Sequence, residues 1–304
     1  MSYELRPLSL AEILDAGFRL LQVEWKTLIG LATIMQIPLV LIGLAAPWLF
    51  DPLAQPLEAG GEMTPDLLLE MVLGLAGLGV VYLFLYPFIA AAVTASVGNF
   101  YLGRRFEIDD AARAGRQSAL RLIAAYLLWM VAYLGVLLVV IGLSAVAFSA
   151  GGAAIGGLIE EAGAAGIAIA VFLVMILGSV ALFWILFATI VSSLLPAITV
   201  LESHGIFATV QRAFALGGTA KARLIGIVTT TGMIVAVPVF GAQMLIGTIP
   251  VVGLLVWAVF QAIAFAFTTA VTVVLYFDLR CRAENYDLEL LAEQVEAGPG
   301  FGHG

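Results

Sequence analysis

The sequence predicts an all-α fold, a bundle of six membrane-spanning helices, on the basis of three observations. Hydrophobic residues make up 62% of the 304 positions and charged residues only 11%, whereas soluble domains carry about 25% charged residues. Six apolar runs each exceed the roughly 20 residues that a helix needs to cross a lipid hydrocarbon core. Lys and Arg are excluded from all six runs, as expected where a charge in lipid costs free energy.

These runs and their short connections form one predicted integral membrane domain over residues 1–293, followed by a disordered tail over 294–304. The predicted spans are residues 27–50, 67–102, 122–148, 167–195, 224–249 and 251–277. Each should be helical because backbone polar groups in lipid must find hydrogen-bond partners within their own segment. The second span is too long for one perpendicular crossing, and Pro87 predicts a kink in it.

Amphipathic interfacial helices are predicted to precede the first, third and fifth spans. Ser9 and Glu12 have the spacing of a capping box, and the apolar residues that follow share one helical face. Residues 205–216 and 109–120 occupy the equivalent places before the fifth and third spans. Phe18–Gly30 and Phe214–Gly226 share a Phe, a Leu and a closing Leu-Ile-Gly. The pattern predicts three repeated units of surface helix, outward span and returning span.

The distribution of basic residues predicts the orientation of the bundle. All 13 Lys and Arg lie in the N-terminal segment, the second and fourth connections and the C-terminal segment. Positive charge marks the cytoplasmic side, so both termini are expected in the cytoplasm and the protein in a bacterial inner (plasma) membrane. The cytoplasmic side is close to neutral overall because acids accompany the bases. This balance excludes nucleic acid as a predicted partner, since nucleic acid requires a concentrated basic patch.

A search for catalytic chemistry in the sequence finds no recognised motif. His204 and His303 do not fall in a metal-ligand spacing, and Cys281, the only cysteine, excludes a disulfide within the chain. We therefore expect a protein that is not an enzyme and that needs no metal or cofactor.

Two groups of residues are candidate functional sites. Arg19, Arg113, Arg212 and Arg280 lie in or beside the predicted surface segments, where they could contact anionic lipid head groups or a partner. The alternative is that these arginines only fix the topology and extend to the membrane surface. Polar residues inside the spans could line a solute path: Gln36, Asn99, Gln243 and Gln261, with the threonines Thr229–Thr231, Thr268, Thr269 and Thr272. Hydrogen bonding between helices is the interpretation we favour for them.

Two segments resemble a large bacterial family of integral membrane proteins known as the membrane domain of glycerophosphoryl diester phosphodiesterase. The segments are PAITVLESHGIFATVQRAFAL followed by RLIGI, and LYFDLRCRAENYDLELLAE; the opening LSLAEILDAGFRLLQVEWKTLI also fits. The resemblance spans nearly the whole chain, and Glu202, Arg212, Asp278 and Arg280 match polar positions common in the family. It implies the membrane fold alone, because the phosphodiesterase activity belongs to a separate barrel domain whose metal ligands have no counterpart in these residues.

The function expected from these observations is that of a non-catalytic membrane component that binds lipids or organises partners, including further copies of itself. The alternative is a transporter or channel for a small or amphipathic solute. A continuous wet cavity reaching mid-membrane beside Gln36 or Gln243 would favour transport, and a close-packed bundle with no cavity would favour the non-catalytic component.

Overall fold

The computed structural model describes residues 6–58, 65–104, 106–162, 172, 175–176, 178–179, 183–184, 186–202, 204–246, 248–289 and 292. Within these ranges the chain forms helices and turns and no strand, which confirms the all-α class. The helices are α1 (Leu10–Val23), α2 (Trp25–Glu58), α3 (Pro65–Tyr101), α4 (Ile108–Ala162), α5 (Leu195–Leu201), α6 (Ile206–Thr219), α7 (Lys221–Ile246) and α8 (Pro250–Glu284).

Five stretches of the described helices are long and apolar enough to cross a membrane. They are Trp25–Leu44, Val72–Tyr101, Ile108–Leu138, Lys221–Ile246 and Pro250–Glu284. They coincide with the first, second, third, fifth and sixth predicted spans. The fourth predicted span, 167–195, is described only in separate pieces before residue 186. Its described end belongs to an apolar helical stretch, Leu186–Leu201, that is shorter than the five spans.

Some helices continue past the ends that the sequence predicted. Helix α2 runs to Glu58 rather than to residue 50, and α4 is a single helix from Ile108 to Ala162. The prediction of a separate surface helix over 109–120 was therefore wrong. This stretch consists mostly of good helix formers and holds no proline, so nothing in it terminates the helix before the span begins. The other two predicted surface helices, α1 and α6, are separate from the spans that follow them.

The first helix begins with the capping box that the sequence predicted. The Glu12 backbone N–H donates to Ser9 Oγ over 3.3 Å, and the Ser9 backbone N–H donates to Glu12 Oε2 over 2.6 Å. Arg6 also binds the Glu12 carboxylate at 2.6 Å. Each bond favours the ionised carboxylate. Together they lower the pKa of Glu12 from 4.5 to about 2, the bond from the Ser9 backbone contributing most.

The lowered pKa of Glu12 predicts that the stability contributed by the start of α1 depends on pH. A carboxyl group whose pKa is lower in the folded protein stabilises the fold fully above its unfolded value of 4.5, and this contribution is lost as the pH falls towards 2. We expect the Glu12→Gln variant to lose less thermal stability than the wild type between pH 6 and pH 3. Thermal unfolding in detergent at both pH values measures the difference, with exposed Glu107→Gln as control. Equal losses of thermal stability in the wild type and in the Glu12→Gln variant would contradict this prediction.

The apolar face of α1 packs on α8 and not on an open surface. Ile13 and Leu20 are buried, and Gly17 lies against Val271 so closely that a Cβ atom built on it would be 2.6 Å from Val271 Cγ2. A side chain at this position would separate the helices, so the glycine permits the contact. Helix α1 is therefore part of the bundle core.

The described core is concentrated at one end of the bundle, which we call the basic end because Lys and Arg residues lie there. It comprises α1, α5 and α6, the starts of α2, α4 and α7, and the last turns of α3 and α8. Tyr101 and Phe277 stack across the ends of α3 and α8 with ring centroids 5.2 Å apart. At the opposite, far end, side chains such as Met233, Val237 and Phe240 of α7 are exposed, as expected for surfaces in contact with lipid.

Candidate functional site

A buried carboxylate on α8 joins three distant parts of the chain. The Asp278 side chain has 0% exposure. Its Oδ1 accepts the Leu8 backbone N–H over 2.7 Å, and its Oδ2 accepts Arg223 Nε over 2.7 Å. Arg282 Nε lies 3.2 Å from both oxygens. We call Leu8, Arg223, Asp278 and Arg282 the Asp278 tie.

The arginines of the Asp278 tie also hold the chain before α1. The Leu8 carbonyl accepts hydrogen bonds from Arg282 Nη2 over 2.8 Å and from Arg223 Nη2. Both backbone polar groups of Leu8 are therefore satisfied by side chains. A buried charge is tolerated only when it is paired and hydrogen-bonded in this way. The tie fastens the N-terminal segment to the start of α7 and the end of α8.

A second charged group lies nearby, which we call the Glu202 cluster: Glu202, Arg212, Tyr276, Arg280 and Glu284. Glu202 accepts hydrogen bonds from Arg212 Nε over 2.9 Å and from the Tyr276 hydroxyl over 2.8 Å. Glu284 binds Arg212 and also accepts Arg280 Nε over 3.0 Å. The hydrogen bond to Glu284 raises the pKa of Arg212 above its usual value. Two carboxylates and two guanidinium groups thus neutralise each other.

Two further side chains close the Glu202 cluster. His204 Nε2 lies 2.8 Å from Glu202 Oε2. The Arg280 guanidinium lies over the Tyr286 ring at 3.7 Å from its centroid, within the range of a cation–π contact. Arg212 and Arg280 are therefore fully engaged by the protein itself.

A cavity of about 100 Å³ lies inside the bundle between α3, α4, α5 and α8. Its lining is rich in hydroxyl groups: Tyr86, Thr94, Tyr126, Ser193, Thr268, Thr269 and Thr272. Thr94 is buried, and its Oγ1 has no hydrogen-bond partner. A buried hydroxyl without a partner costs free energy, which makes this cavity a candidate site for a polar ligand.

The cavity and the Glu202 cluster are joined by a polar stripe along α8. Its members recur every four residues: Thr268, Thr272, Tyr276, Arg280 and Glu284. Residues four apart lie on one face of a helix, so the hydroxyl groups of the cavity and the charged cluster lie on the same face of α8. The sequence pointed to Thr268 and Thr272 as lining residues and to Arg280 as a contact residue, but not to the stripe that joins them, although its spacing is present in the sequence.

A shallow groove runs between α3 and α4 on the outside of the bundle, with a volume of about 500 Å³. Its lining is apolar apart from one arginine: Val81, Phe84, Leu85, Phe88, Arg116, Ala119, Leu120 and Ile123. Gly115 allows the two helices to meet closely at the basic end of the groove, since a Cβ there would be 3.0 Å from the Phe88 carbonyl. Arg116 is exposed and has no acidic partner among the described residues.

The four arginines selected from the sequence fall into two groups. Arg19 pairs with Asp15 at 2.9 Å, and Arg113 pairs with Asp110 at 3.1 Å, both on exposed helical surface. Arg212 and Arg280 meet in the Glu202 cluster. For all four arginines, contact with lipid head groups remains a prediction. Arg116, which the sequence analysis did not select, is the basic residue that borders an apolar groove.

The four amide residues selected inside the spans are not brought together. Gln36 is buried beside an apolar groove of about 270 Å³, and its Oε1 has no partner. Asn99 donates to the Ala95 carbonyl of its own helix over 2.8 Å. Gln243 is exposed and Gln261 is half-buried. They form no common path.

Comparisons with known proteins do not extend these observations. No protein family, no curated protein and no solved structure matches the chain. The resemblance to the phosphodiesterase membrane domain therefore remains an interpretation of the sequence. Within the part of the chain that the structure describes, no three His, Cys, Asp or Glu side chains are placed to hold a metal ion. The function must be argued from the cavity, the groove and the charged groups.

Proposed function

We propose that the protein is a non-catalytic, six-span protein of a bacterial inner membrane that binds anionic phospholipid at its basic end. Both termini would then lie in the cytoplasm. The five helices that are long and apolar enough to cross a membrane support this, since a sixth span within the apolar residues 167–195 keeps every Lys and Arg on one side. The basic side of a membrane protein faces the cytoplasm, where anionic lipids are abundant.

The proposal includes the threefold repeat of surface helix and hairpin. Helices α1 and α6 support it, because each is followed after a one-residue break by a span, at Glu24 and at Ala220. Phe18 and Phe214 hold equivalent positions in the two units. The second unit differs in having its surface helix fused to the span as α4.

The groove beside Arg116 is the observation that carries the proposed function. Phe88 and Arg116 lie at its basic end, and the apolar side chains extend from there towards the far end, because α3 and α4 run in opposite directions. This arrangement matches a phospholipid, with an acyl chain along the groove and the phosphate at the guanidinium. Arginine binds phosphate oxygens in a bidentate manner. Arg113 is a poorer candidate because Asp110 already neutralises it.

The proposal predicts different effects for two arginines on the same helix. The full-length protein would be placed in nanodiscs of mixed phosphatidylglycerol and phosphatidylcholine. It would then be released from the nanodiscs, and the lipids that it retains would be counted by native mass spectrometry. We expect the wild type to enrich phosphatidylglycerol and the Arg116→Gln variant to reduce this enrichment about fivefold, since a basic residue near anionic lipid contributes about 1 kcal/mol.

Arg113→Gln is the matched control for this experiment, because it removes the same charge one turn away but outside the groove. It is expected to retain the wild-type enrichment. Equal losses in Arg113→Gln and Arg116→Gln would indicate a general effect of charge and contradict the groove. A wild type that retains both lipids equally would contradict the proposed function.

Transport of a small or amphipathic solute is the second candidate function. The path expected beside Gln36 or Gln243 finds no support, because the groove at Gln36 is apolar and Gln243 faces outwards. The hydroxyl-lined cavity favours transport more, but fully buried Tyr276 follows Thr272 by one helical turn and closes the route to the basic end. Lipid binding is therefore the function that the geometry supports best.

A further inference from the structure

We propose that the cavity between α3, α4, α5 and α8 is a binding site for a small neutral solute with several hydrogen-bonding groups, such as a polyol. The site is independent of the lipid groove, which lies on the outer surface between α3 and α4. Either proposal can fail without affecting the other.

The hydroxyl groups of the cavity have hydrogen-bonding capacity to spare. Ser193, Thr269 and Thr272 each donate to a carbonyl in their own helical segment, so each retains lone pairs that can accept from a ligand. Thr94 differs from them, since its Oγ1 is buried and has no partner. The lining thus offers several acceptors and at least one donor, the Thr94 hydroxyl, which a ligand carrying hydroxyl groups would satisfy together.

The lining also decides the charge of the ligand. None of the described residues that border the cavity is acidic or basic. Glu202, which accepts the Tyr276 hydroxyl one helical turn beyond the cavity, is neutralised by Arg212. An ion in the cavity would lack a counter-charge in a low-dielectric environment, at a cost of several kcal/mol. A neutral solute avoids this cost.

The volume and the access route limit the size of the ligand. A water molecule occupies about 10–15 Å³ of cavity volume measured in this way. The cavity, with a volume of about 100 Å³, therefore accommodates a solute of roughly six non-hydrogen atoms. Tyr82, one turn nearer the far end, is exposed and stacks on Tyr86 at a centroid distance of 5.4 Å. Tyr276 closes the opposite side. The solute would therefore enter from the far end of the bundle, past the tyrosines.

Glycerol, with six non-hydrogen atoms, is a suitable probe. Saturation-transfer NMR on the full-length protein in detergent would measure its apparent Kd, with n-butanol as an apolar probe of similar size. We expect glycerol to bind, butanol to bind more weakly, and the Thr94→Val variant to bind glycerol about fivefold more weakly because it lacks one hydrogen bond. Ala90→Leu, which fills the cavity beside Thr94, should abolish binding.

Thr231→Val is the matched control, because Thr231 is also buried but donates to the Ile227 carbonyl on α7, away from the cavity. It should bind glycerol like the wild type, which would also show that loss of a buried hydroxyl does not disrupt the fold. Three results would overturn the proposal: no glycerol binding by the wild type, equal weakening by Thr94→Val and Thr231→Val, or butanol binding as tightly as glycerol.

Discussion

The Asp278→Ala variant is expected to lose about 3–5 kcal/mol of stability, as when one partner of a buried ion pair is removed. The Asp278 carboxylate is the shared acceptor for Leu8, Arg223 and Arg282. Without it, two guanidinium groups retain only the Leu8 carbonyl, and the Leu8 N–H has no acceptor. The N-terminal segment should therefore detach from α8 before the rest of the bundle unfolds.

Cys281 provides a direct measurement of this detachment. It is buried, lies one turn from Asp278 and is the only cysteine in the chain. The rate of its modification by a thiol-reactive dye, below the unfolding temperature, reports local opening at this end. A loss of about 3 kcal/mol would increase the rate on the order of 100-fold.

Asp109→Ala is the control for Asp278→Ala, because Asp109 is exposed on the first turn of α4. Its rate of Cys281 modification should equal that of the wild type. If Cys281 of the Asp278→Ala variant were also modified at the wild-type rate, the Asp278 tie would not hold the N-terminal segment on α8.

The Glu202→Ala variant is expected to lose about 3 kcal/mol, the lower end for a broken buried ion pair. It deprives Arg212 and the Tyr276 hydroxyl of an acceptor, while Glu284 continues to neutralise part of the arginine charge. Glu202→Gln should lose less, because its amide oxygen still accepts from Tyr276. The chain contains 5 Trp, so unfolding by SDS can be followed by tryptophan fluorescence.

The double variant Glu202→Ala/Glu284→Ala tests whether the Glu202 cluster acts as a unit. Residues that share a charged partner couple by about 0.5–3 kcal/mol, so the double variant should differ from the sum of the single ones by this amount. Glu107 is exposed and lies before α4. The loss of stability caused by Glu107→Ala should therefore add to the loss caused by either single variant without coupling. Additive losses for Glu202 and Glu284 would mean that the two carboxylates stabilise the fold separately.

The elements that depend on local sequence could be predicted. The spans of α2 and α8 follow from runs of apolar residues, and the start of α1 follows from the spacing of Ser9 and Glu12.

The candidate site could be predicted only in part, because its pairs are distant in sequence. Leu8 and Asp278 are separated by 270 positions, and Glu202 and Tyr276 by 74. No local pattern shows that two such residues meet. The pairs of Arg19 with Asp15 and of Arg113 with Asp110, by contrast, have the i,i+4 and i,i+3 spacings of neighbours on a helix and could be predicted locally. The stripe from Thr268 to Glu284 was likewise readable from its period of four.

The Asp278 tie also sets the order of events during biosynthesis. Leu8 precedes its carboxylate partner on α8 by 270 positions. At about 5–20 residues per second, ribosomes would take on the order of 10–60 s to deliver that partner. Until then the buried face of α1 lacks the surface it packs against. The packing of α1 into the bundle therefore follows the synthesis of α8.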